Sequence, residues 1–299
     1  ALVEAGEMWP IEDDSAYDEA TYAAVSERLL GVVFGVAAQI VEEDVCSMED
    51  VDRGAKVGLR WAKGPFELMN RVGLKEAHRM ASAYAELAVG GWSVPDFFTR
   101  QAAGGEGWDF SYVDVHMDDG IATIIINRPE AMNALNETVV DQLGQAVAKV
   151  HAAEGIHTMV LDGAGKAFVA GADVKFFVDK IRADAIPDIE VFTAGGHVVL
   201  DTIEASPLTT IALTTGLALG GGLELALACD YRVGTRRSSF RFPETGIGIY
   251  PGLGGSQRPA RIMGRPCARW AVLAGNMMDA GTAHALGILT HLVPISDVD

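Results

Sequence analysis

Hydrophobic residues in the first hundred positions recur at helical spacing, and no strand pattern appears there. Between Tyr17 and Val45 apolar side chains return every three or four residues, which is the period of one helix face. Ser47 with Asp50 three positions later predicts the start of a second helix, and Gly64-Pro65 predicts the start of a third. The alanine-rich stretch from Lys75 to Val89 is also expected to be helical.

From about residue 111 the pattern predicts strands and helices in alternation. Val113–Met117 and Ile121–Ile126 flank Asp118-Asp119-Gly120, which is typical of a β-hairpin. The elements expected after it are a helix capped by Asn136 and reaching about Ala153, a strand at Thr158–Leu161, a helix at Ile189–Ala205, a strand at Leu208–Thr214 and, after a glycine-rich turn, Leu223–Ala228. This order indicates an α/β core with crossover connections.

The two patterns meet at Ala102-Ala103-Gly104-Gly105-Glu106-Gly107, which has the composition of a flexible linker. We therefore predict a helical domain over residues 1–105 and an α/β domain over residues 106–299.

Charge and cysteine content narrow the classes of partner. The net charge of −18 disfavours nucleic acid and anionic membranes, because like charges repel. The longest apolar runs, such as Leu29–Ile40, are short and rich in small residues, so no membrane span is expected.

The three cysteines are Cys46, Cys229 and Cys267, and they form no C-x-x-C pair, so no zinc site is expected. Their wide separation indicates a reducing compartment, which we predict to be the cytoplasm. The first residue is Ala1, from which we expect a processed or truncated chain without a signal peptide.

Several familiar motifs are incomplete. Gly246-x-Gly248 and Gly252-x-Gly254 lack the third glycine of a dinucleotide fingerprint. Gly163-Ala164-Gly165-Lys166 lacks the upstream glycine and the following Ser or Thr of a P-loop. Ser206, Ser238 and Ser256 lie in no G-x-S-x-G elbow.

Two glycine-containing segments predict exposed backbone N–H groups. In Phe168–Asp173 small residues leave the backbone accessible, and Asp173 is expected to cap a helix that begins at Val174. An ordinary strand-to-helix turn would have the same composition. In Leu219–Ala226 three glycines precede Glu224, whose helix is apolar on every side. A buried carboxylate is costly, so Glu224 is either functional or paired with an arginine such as Arg241.

A third segment supplies a second carboxylate. Glu244 lies in Phe242–Gly246, and Pro251–Gly255 follows with further glycines. Two glutamates with two groups of accessible amides are what acid/base chemistry beside a developing oxyanion requires. The three segments together favour a catalytic site.

Residues 112–299 resemble the crotonase (enoyl-CoA hydratase/isomerase) superfamily. The motifs that carry the resemblance are Asn127-Arg128-Pro129, Asn133-Ala134-Leu135-Asn136, Ala170-Gly171-Ala172-Asp173, Ala218-Leu219-Gly220-Gly221-Gly222-Leu223-Glu224-Leu225-Ala226, Phe242-Pro243-Glu244 and Pro251-Gly252-Leu253-Gly254-Gly255-Ser256-Gln257-Arg258. The resemblance implies an α/β fold, a spiral of ββα units preceded here by a small all-α domain. Members usually assemble as trimers or dimers of trimers, so a homo-oligomer is expected.

The resemblance also implies roles for particular residues. An acyl-CoA thioester would place its carbonyl oxygen between the amides of Ala172 and Gly221. Glu224 would orient and activate water, and Glu244 would deliver or remove the proton at Cα of a trans-2-enoyl thioester. The substrate-binding positions implied are Ala134, Leu135, Ala170, Asp173, Val174, Lys175 and Gly252, whose N–H would help to place the water. Lys175 is either a contact for CoA or a solvated surface lysine.

The helical part resembles the C-terminal domain of 3-hydroxyacyl-CoA dehydrogenases. The matching stretches are Met48–Arg53, Val57-Gly58-Leu59 and Lys63–Leu68. Fused β-oxidation-type proteins carry this domain in two copies, and the catalytic copy has an Asn-Arg pair near its first helix. The matching stretch here, Ser26-Glu27-Arg28, has no Asn, so the resemblance implies the non-catalytic copy. NAD would belong to a dinucleotide domain that this chain does not contain, so no dehydrogenase activity, metal or redox cofactor is expected.

Two departures leave alternatives open. Hydratases often carry a polar residue where Phe242 stands, and the helices that normally follow Val293 in the family are missing. An enoyl-CoA isomerase is the first alternative, because a single glutamate can shuttle the proton. An inactive scaffold is the second. Acyl-chain length depends on packing around Phe176 and Phe177, which the sequence does not determine.

Overall fold

The computed structural model describes residues 18–88 and 90–297, and the chain divides into two compact units between Phe110 and Ser111. The described part of the first unit is helical and contains no strand. Its helices are α1 (Glu19–Glu42), α2 (Met48–Gly58), α3 (Pro65–Val72), α4 (Leu74–Ala85) and α5 (Asp96–Gly104). The predicted helix at Tyr17–Val45 begins at Glu19, and Tyr17 lies outside the described residues.

The second unit is α/β, as the alternating pattern predicts. Its strands are β1 (Val113–Asp118), β2 (Ile121–Ile126), β3 (Thr158–Gly163), β4 (Ala167–Ala170), β5 (Thr209–Thr214), β6 (Leu217–Leu219), β7 (Tyr231–Gly234), β8 (Ser239–Arg241), β9 (Met278–Asp279) and β10 (His291–Leu292). Its helices are α6 (Glu137–Ala152), α7 (Val174–Arg182), α8 (Ile186–Glu204), α9 (Gly221–Leu227), α10 (Arg258–Ile262), α11 (Arg265–Ala274) and α12 (Ala280–Ala285).

Side-chain caps fix the helices of the first unit. The Ser47 hydroxyl accepts the N–H of Asp50 at 3.1 Å, as the capping motif predicts. Buried Asp52 accepts the N–H groups of Phe66 and Glu67 at 2.8 and 2.9 Å, so α2 caps the start of α3. Unpaired N–H groups at helix starts are costly when buried, and these bonds satisfy them.

The first part of the predicted linker forms the end of α5. Ala102 is buried at the end of α5, and Gln101 donates a hydrogen bond to the carbonyl of Gly107 at 3.0 Å. Trp108 is buried, and its N–H donates to the Asn70 side chain at 2.7 Å. Residues 102–104 therefore belong to α5, and residues 105–107 follow it without regular structure. Composition alone could not reveal that Trp108 anchors this segment.

Helix α1 is long and apolar enough to cross a bilayer by length and composition. Its most apolar 18-residue window has a mean hydropathy of 1.6, so the run Leu29–Ile40 is only part of a longer apolar segment. Phe34, Ala37 and Ala38 of α1 belong to the core of the helical unit. At least this face therefore packs against protein.

Two sheets organise the second unit. The larger sheet has the order β1-β2-β3-β5-β7-β10, and the smaller has the order β4-β6-β8-β9. Strands β1 and β2 form the predicted antiparallel hairpin, while β2, β3, β5, β7 and β10 run parallel. Asp119 and Gly120 both have positive φ, which a two-residue hairpin turn requires.

A two-strand-and-helix unit recurs along the chain and forms the spiral that the resemblance implies. Strands β3 and β4 precede α7 and α8, β5 and β6 precede α9, and β7 and β8 precede α10. In each pair the first strand joins the larger sheet and the second joins the smaller sheet. Helix α9 is buried along its whole length, which is why its sequence is apolar on all sides. Strands β6 to β9 have two to four residues and were too short to predict.

Replacing Gly222 by alanine should lower the free energy of unfolding by about 1–3 kcal/mol, because the added methyl overlaps with the Val169 carbonyl and the backbone must shift. Gly195→Ala in α8 is the matched control. Its added carbon would lie 3.9 Å from Val140, so we expect a neutral or slightly stabilising effect. Urea unfolding followed by circular dichroism compares the two. Equal midpoints would contradict the close contact between α9 and β4.

Candidate active site

Asn133 anchors the loop before α6 to the end of β4. It is fully buried and has positive φ. Its side-chain amide donates to the carbonyls of Ala164 and Ala167 at 2.9 and 2.8 Å, and its Oδ1 accepts the N–H of Arg128 at 2.9 Å. One side chain thus satisfies three backbone groups and fixes the segment that follows.

This segment holds the backbone on both sides of Ala172. The Leu135 N–H donates to the carbonyl of Gly171 at 2.9 Å, and the Leu135 carbonyl accepts the N–H of Asp173 at 2.8 Å. Residues 135 and 172 form a parallel β-bridge. The N–H of Ala172 itself has no acceptor among the described residues. It is a fixed donor available to a ligand.

A second available donor lies beside it at the start of α9. Gly220 has a φ of 46°, a value that glycine adopts without strain, and its own N–H donates to the carbonyl of Arg241 at 2.8 Å. The next N–H, that of Gly221, has no acceptor within residues 18–88 and 90–297. A carbon added to Gly221 would lie 3.7 Å from the amide nitrogen of Ala172. The structure therefore brings together the two amides predicted to form an oxyanion hole.

Glu224 is 1% exposed, and its carboxylate is held by backbone amides. Its Oε1 accepts the N–H groups of Leu253 and Gly255 at 2.7 and 2.6 Å. Burial raises the pKa of Glu224, while the two N–H bonds and the nearby charges of Arg258 and His197 oppose that rise. The alternative of a pair with Arg241 is wrong, since the Nε of Arg241 donates to the carbonyl of Gly275 at 2.5 Å.

Glu244 lies at the start of a 3-10 turn, Glu244–Ile247, and faces the same site. Its Oε1 lies so close to Gly220 that a side chain at 220 would collide with it. Its Oε2 is buried and has no hydrogen-bond partner among the described residues. Burial, with a smaller contribution from the charge of Glu224, raises the pKa of Glu244 to about 7. The two predicted carboxylates therefore lie close enough to influence each other.

The predicted substrate-binding residues differ in exposure. Asp173 caps α7 by accepting the N–H of Lys175 at 3.1 Å, as predicted, and it pairs with Arg128 at 3.0 Å. Lys175 is exposed and, with Asp173 and Phe176, lines a cavity of about 190 Å³. The remaining predicted positions are Ala134 and Leu135, which are buried, Ala170 and Gly252, which are half-buried, and Val174, which is exposed. Whether Lys175 contacts CoA stays a prediction.

Sequence reasoning missed the residues that hold the carboxylates and the loops in place. Leu253 and Gly255 were noted only as part of a glycine-rich motif, although their N–H groups bind Glu224. The signal available was the buried Glu224 itself, which requires donors. The three backbone groups that Asn133 binds could not be predicted from its residue type.

Among residues 18–88 and 90–297, no three histidine, cysteine, aspartate or glutamate side chains are grouped as metal ligands.

Two family models match the chain. The model for enoyl-CoA hydratase/isomerase matches residues 121–299, and the model for the C-terminal domain of 3-hydroxyacyl-CoA dehydrogenase matches residues 25–99. The first match covers more than half of the sequence, so the chain belongs to the enoyl-CoA hydratase/isomerase family. Both resemblances stated from the motifs are confirmed.

Named relatives and solved structures agree with this assignment. The chain is 38% identical over 184 residues to the "Probable enoyl-CoA hydratase" of Mycobacterium bovis, covering 62% of this chain and 69% of that one. It is 35% identical over 185 residues to the "Crotonyl-CoA hydratase" of Syntrophomonas wolfei, covering 62% and 70%. The structure of enoyl-CoA hydratase from Thermoplasma volcanium superposes with a TM-score of 0.58 at 30% identity, covering 62% and 73%. Similarity at this level supports hydratase or isomerase activity.

Proposed function

We propose that this chain adds water to a trans-2-enoyl-CoA and produces a 3-hydroxyacyl-CoA. The observation that carries the proposal is that two buried carboxylates, Glu224 and Glu244, lie beside the Ala172 and Gly221 amides, whose N–H groups have no acceptor among the described residues. The relatives named as hydratases support the choice of substrate.

In this proposal the thioester carbonyl oxygen accepts hydrogen bonds from Ala172 and Gly221. Water addition at Cβ places negative charge on that oxygen as the thioester becomes an enolate. Donors already fixed in direction stabilise such a charge without reorganising, and this contribution is commonly the largest single one. The bonds of Leu135 on both sides of Ala172 provide that rigidity.

The two carboxylates divide the proton transfers. Glu224 receives two N–H bonds and lies near the Arg258 guanidinium, so its ionised form is favoured relative to that of Glu244. Glu244 has a buried oxygen without a donor and a pKa of about 7, so it holds a proton near neutral pH. Glu224 accordingly accepts a proton from water as the oxygen bonds to Cβ, and Glu244 gives its proton to Cα.

The remaining features follow from the same proposal. The CoA moiety is part of the substrate, so no cofactor is needed, and Lys175 contacts it at the rim of the site. The helical unit is a non-catalytic copy of the C-terminal domain of 3-hydroxyacyl-CoA dehydrogenases, and it has no dehydrogenase activity. The chain assembles into a homo-oligomer and acts in the cytoplasm.

Loss of the enoyl-thioester absorbance of crotonyl-CoA on addition of the protein tests the proposed reaction. A 3-enoyl-CoA supplied in parallel separates hydratase from isomerase, because an isomerase makes the 2-enoyl ester without adding water. If CoA esters fail to bind in a calorimetric titration, the chain is a scaffold instead.

The pH dependence should have the same sign in both directions of the reaction. Hydration requires protonated Glu244 beside ionised Glu224, so its kcat/KM should fall as pH rises through about 7. Dehydration of the 3-hydroxyacyl-CoA requires the same single proton on the pair, held by Glu224 instead, and the overall reaction takes up no proton, so its kcat/KM should fall in parallel. Initial rates in both directions between about pH 5 and 9 check this, since an ordinary glutamate titrates near 4.3. Profiles without a fall near pH 7 would contradict the assignment of Glu244.

A further inference from the structure

Arg258 is the first residue of α10 and is 6% exposed, although it carries a full charge. Its guanidinium uses three nitrogens for three different acceptors. Nε donates to Glu204 at 2.8 Å, Nη2 donates to Asp201 at 2.8 Å, and Nη1 donates to the carbonyl of Leu253 at 2.7 Å. One side chain thus connects α8 to the loop that precedes α10.

That loop is the one that holds Glu224. The N–H groups of Leu253 and Gly255 bind the Oε1 of Glu224, and the Leu253 carbonyl binds Arg258. Gly254 lies between them with a φ of 102°, and a side chain there would collide with the guanidinium. The loop therefore wraps closely around Arg258.

We propose that Arg258 is a positioning residue that fixes the Leu253 and Gly255 amides and, through them, the Glu224 carboxylate. The inference rests on the proposed function only in giving Glu224 a role in the reaction. A guanidinium suits this task because its planar fork binds several acceptors in fixed directions, whereas an ammonium acts as a point charge.

Arg258 also acts on Glu224 through its charge. The charged and titratable groups that face Glu224 are Arg258 from α10, His197 from α8 and Glu244 from the 3-10 turn. Removing the guanidinium removes a cation that favours the ionised form of Glu224. The titration of Glu224 should then move to higher pH.

The chain offers a matched control one turn further along α10. Arg261 approaches the same Glu204 at 3.5 Å, but it is exposed and has no bond to Leu253. Arg258→Met and Arg261→Met therefore both remove an arginine that contacts Glu204, and only the first disturbs the loop. Arg258→Lys keeps the positive charge but loses the planar guanidinium that binds three acceptors at once.

The test measures hydration kinetics of crotonyl-CoA and, separately, the pH midpoint of the Leu253 and Gly255 amide signals in nuclear magnetic resonance spectra. We expect Arg258→Met to lower kcat about ten- to a hundredfold with little change in KM, because a displaced reacting group loses its alignment. Its amide midpoint should move to higher pH, Arg258→Lys should recover part of kcat and the midpoint, and Arg261→Met should match the unmodified chain.

The spectroscopic measurement needs no turnover, so it separates this inference from the proposed function. A midpoint shift in Arg258→Met that is absent from Arg261→Met supports the inference even if the unmodified chain fails to hydrate crotonyl-CoA. An unchanged midpoint, or equal shifts in the Arg258 and Arg261 variants, would overturn it. If Arg258→Met does not fold, Arg258→Lys decides the matter: kcat equal to that of the unmodified chain overturns the inference, and a severalfold loss supports it.

Discussion

Replacing Glu244 by glutamine is expected to lower kcat for crotonyl-CoA hydration by about 10²–10⁴-fold, the usual contribution of a positioned acid or base. The physical reason is that an amide N–H is far too weak an acid to give its proton to Cα. Glutamine has the shape of the protonated acid, and the pKa of about 7 indicates that Glu244 is already largely neutral below that pH. Steady-state kinetics over a range of substrate concentrations measure the loss.

Substrate binding provides the control for Glu244→Gln. Calorimetric titration with a saturated acyl-CoA should give nearly the same affinity for the variant and the unmodified chain, because binding uses other groups. A variant that folds, binds and still hydrates at the original rate would refute the role of Glu244. Loss of binding together with rate would instead indicate a disturbed site.

The second large effect is expected from Gly221→Pro, which should lower kcat by about 10²–10³-fold, the usual cost of one oxyanion donor. Proline has no N–H, so one of the two donors is lost. Gly221 is the first residue of α9, a position where the fixed φ of proline is accepted. The fold should therefore survive, and circular dichroism with crotonyl-CoA kinetics checks both points.

Gly221→Ala is the matched control for the loss of that N–H. An added methyl carbon would lie 3.4 Å from Leu135 and 3.5 Å from Leu253, which is ordinary contact, and the N–H is kept. The alanine variant should lose much less activity than the proline variant. Equal losses in the two would mean that shape at residue 221, and not its hydrogen bond, sets the rate.

The sequence predicted those parts of the fold that depend on local chemistry. Ser47, Asn136 and Asp173 cap helices in the structure as expected, because a short polar side chain can satisfy the helix start on its own. The hairpin around Asp119-Gly120 is likewise confirmed, since both residues readily adopt positive φ. The position of Glu224 in an otherwise apolar helix indicated a carboxylate that needs hydrogen-bond donors, and the structure supplies them from Leu253 and Gly255.

Long-range contacts could not be predicted in the same way. The amides of Leu253 and Gly255 lie 29 and 31 residues from Glu224 in sequence, and no local pattern announces their bonds. Arg258 was noted only as part of a family motif, because its acceptors Asp201 and Glu204 lie on a distant helix. Trp108 was missed as an anchor of the helical unit for the same reason, and the segment before it was interpreted as a linker.

The most direct test of the central claim is hydration of crotonyl-CoA in water enriched in ¹⁸O, followed by mass spectrometry of the product. The account predicts a 3-hydroxyacyl-CoA that carries one ¹⁸O atom at C3, formed by the unmodified chain and strongly reduced in Glu244→Gln. Equal labelled product from the two proteins, or recovery of unlabelled 2-enoyl ester from a 3-enoyl substrate with no hydrated product, would contradict it.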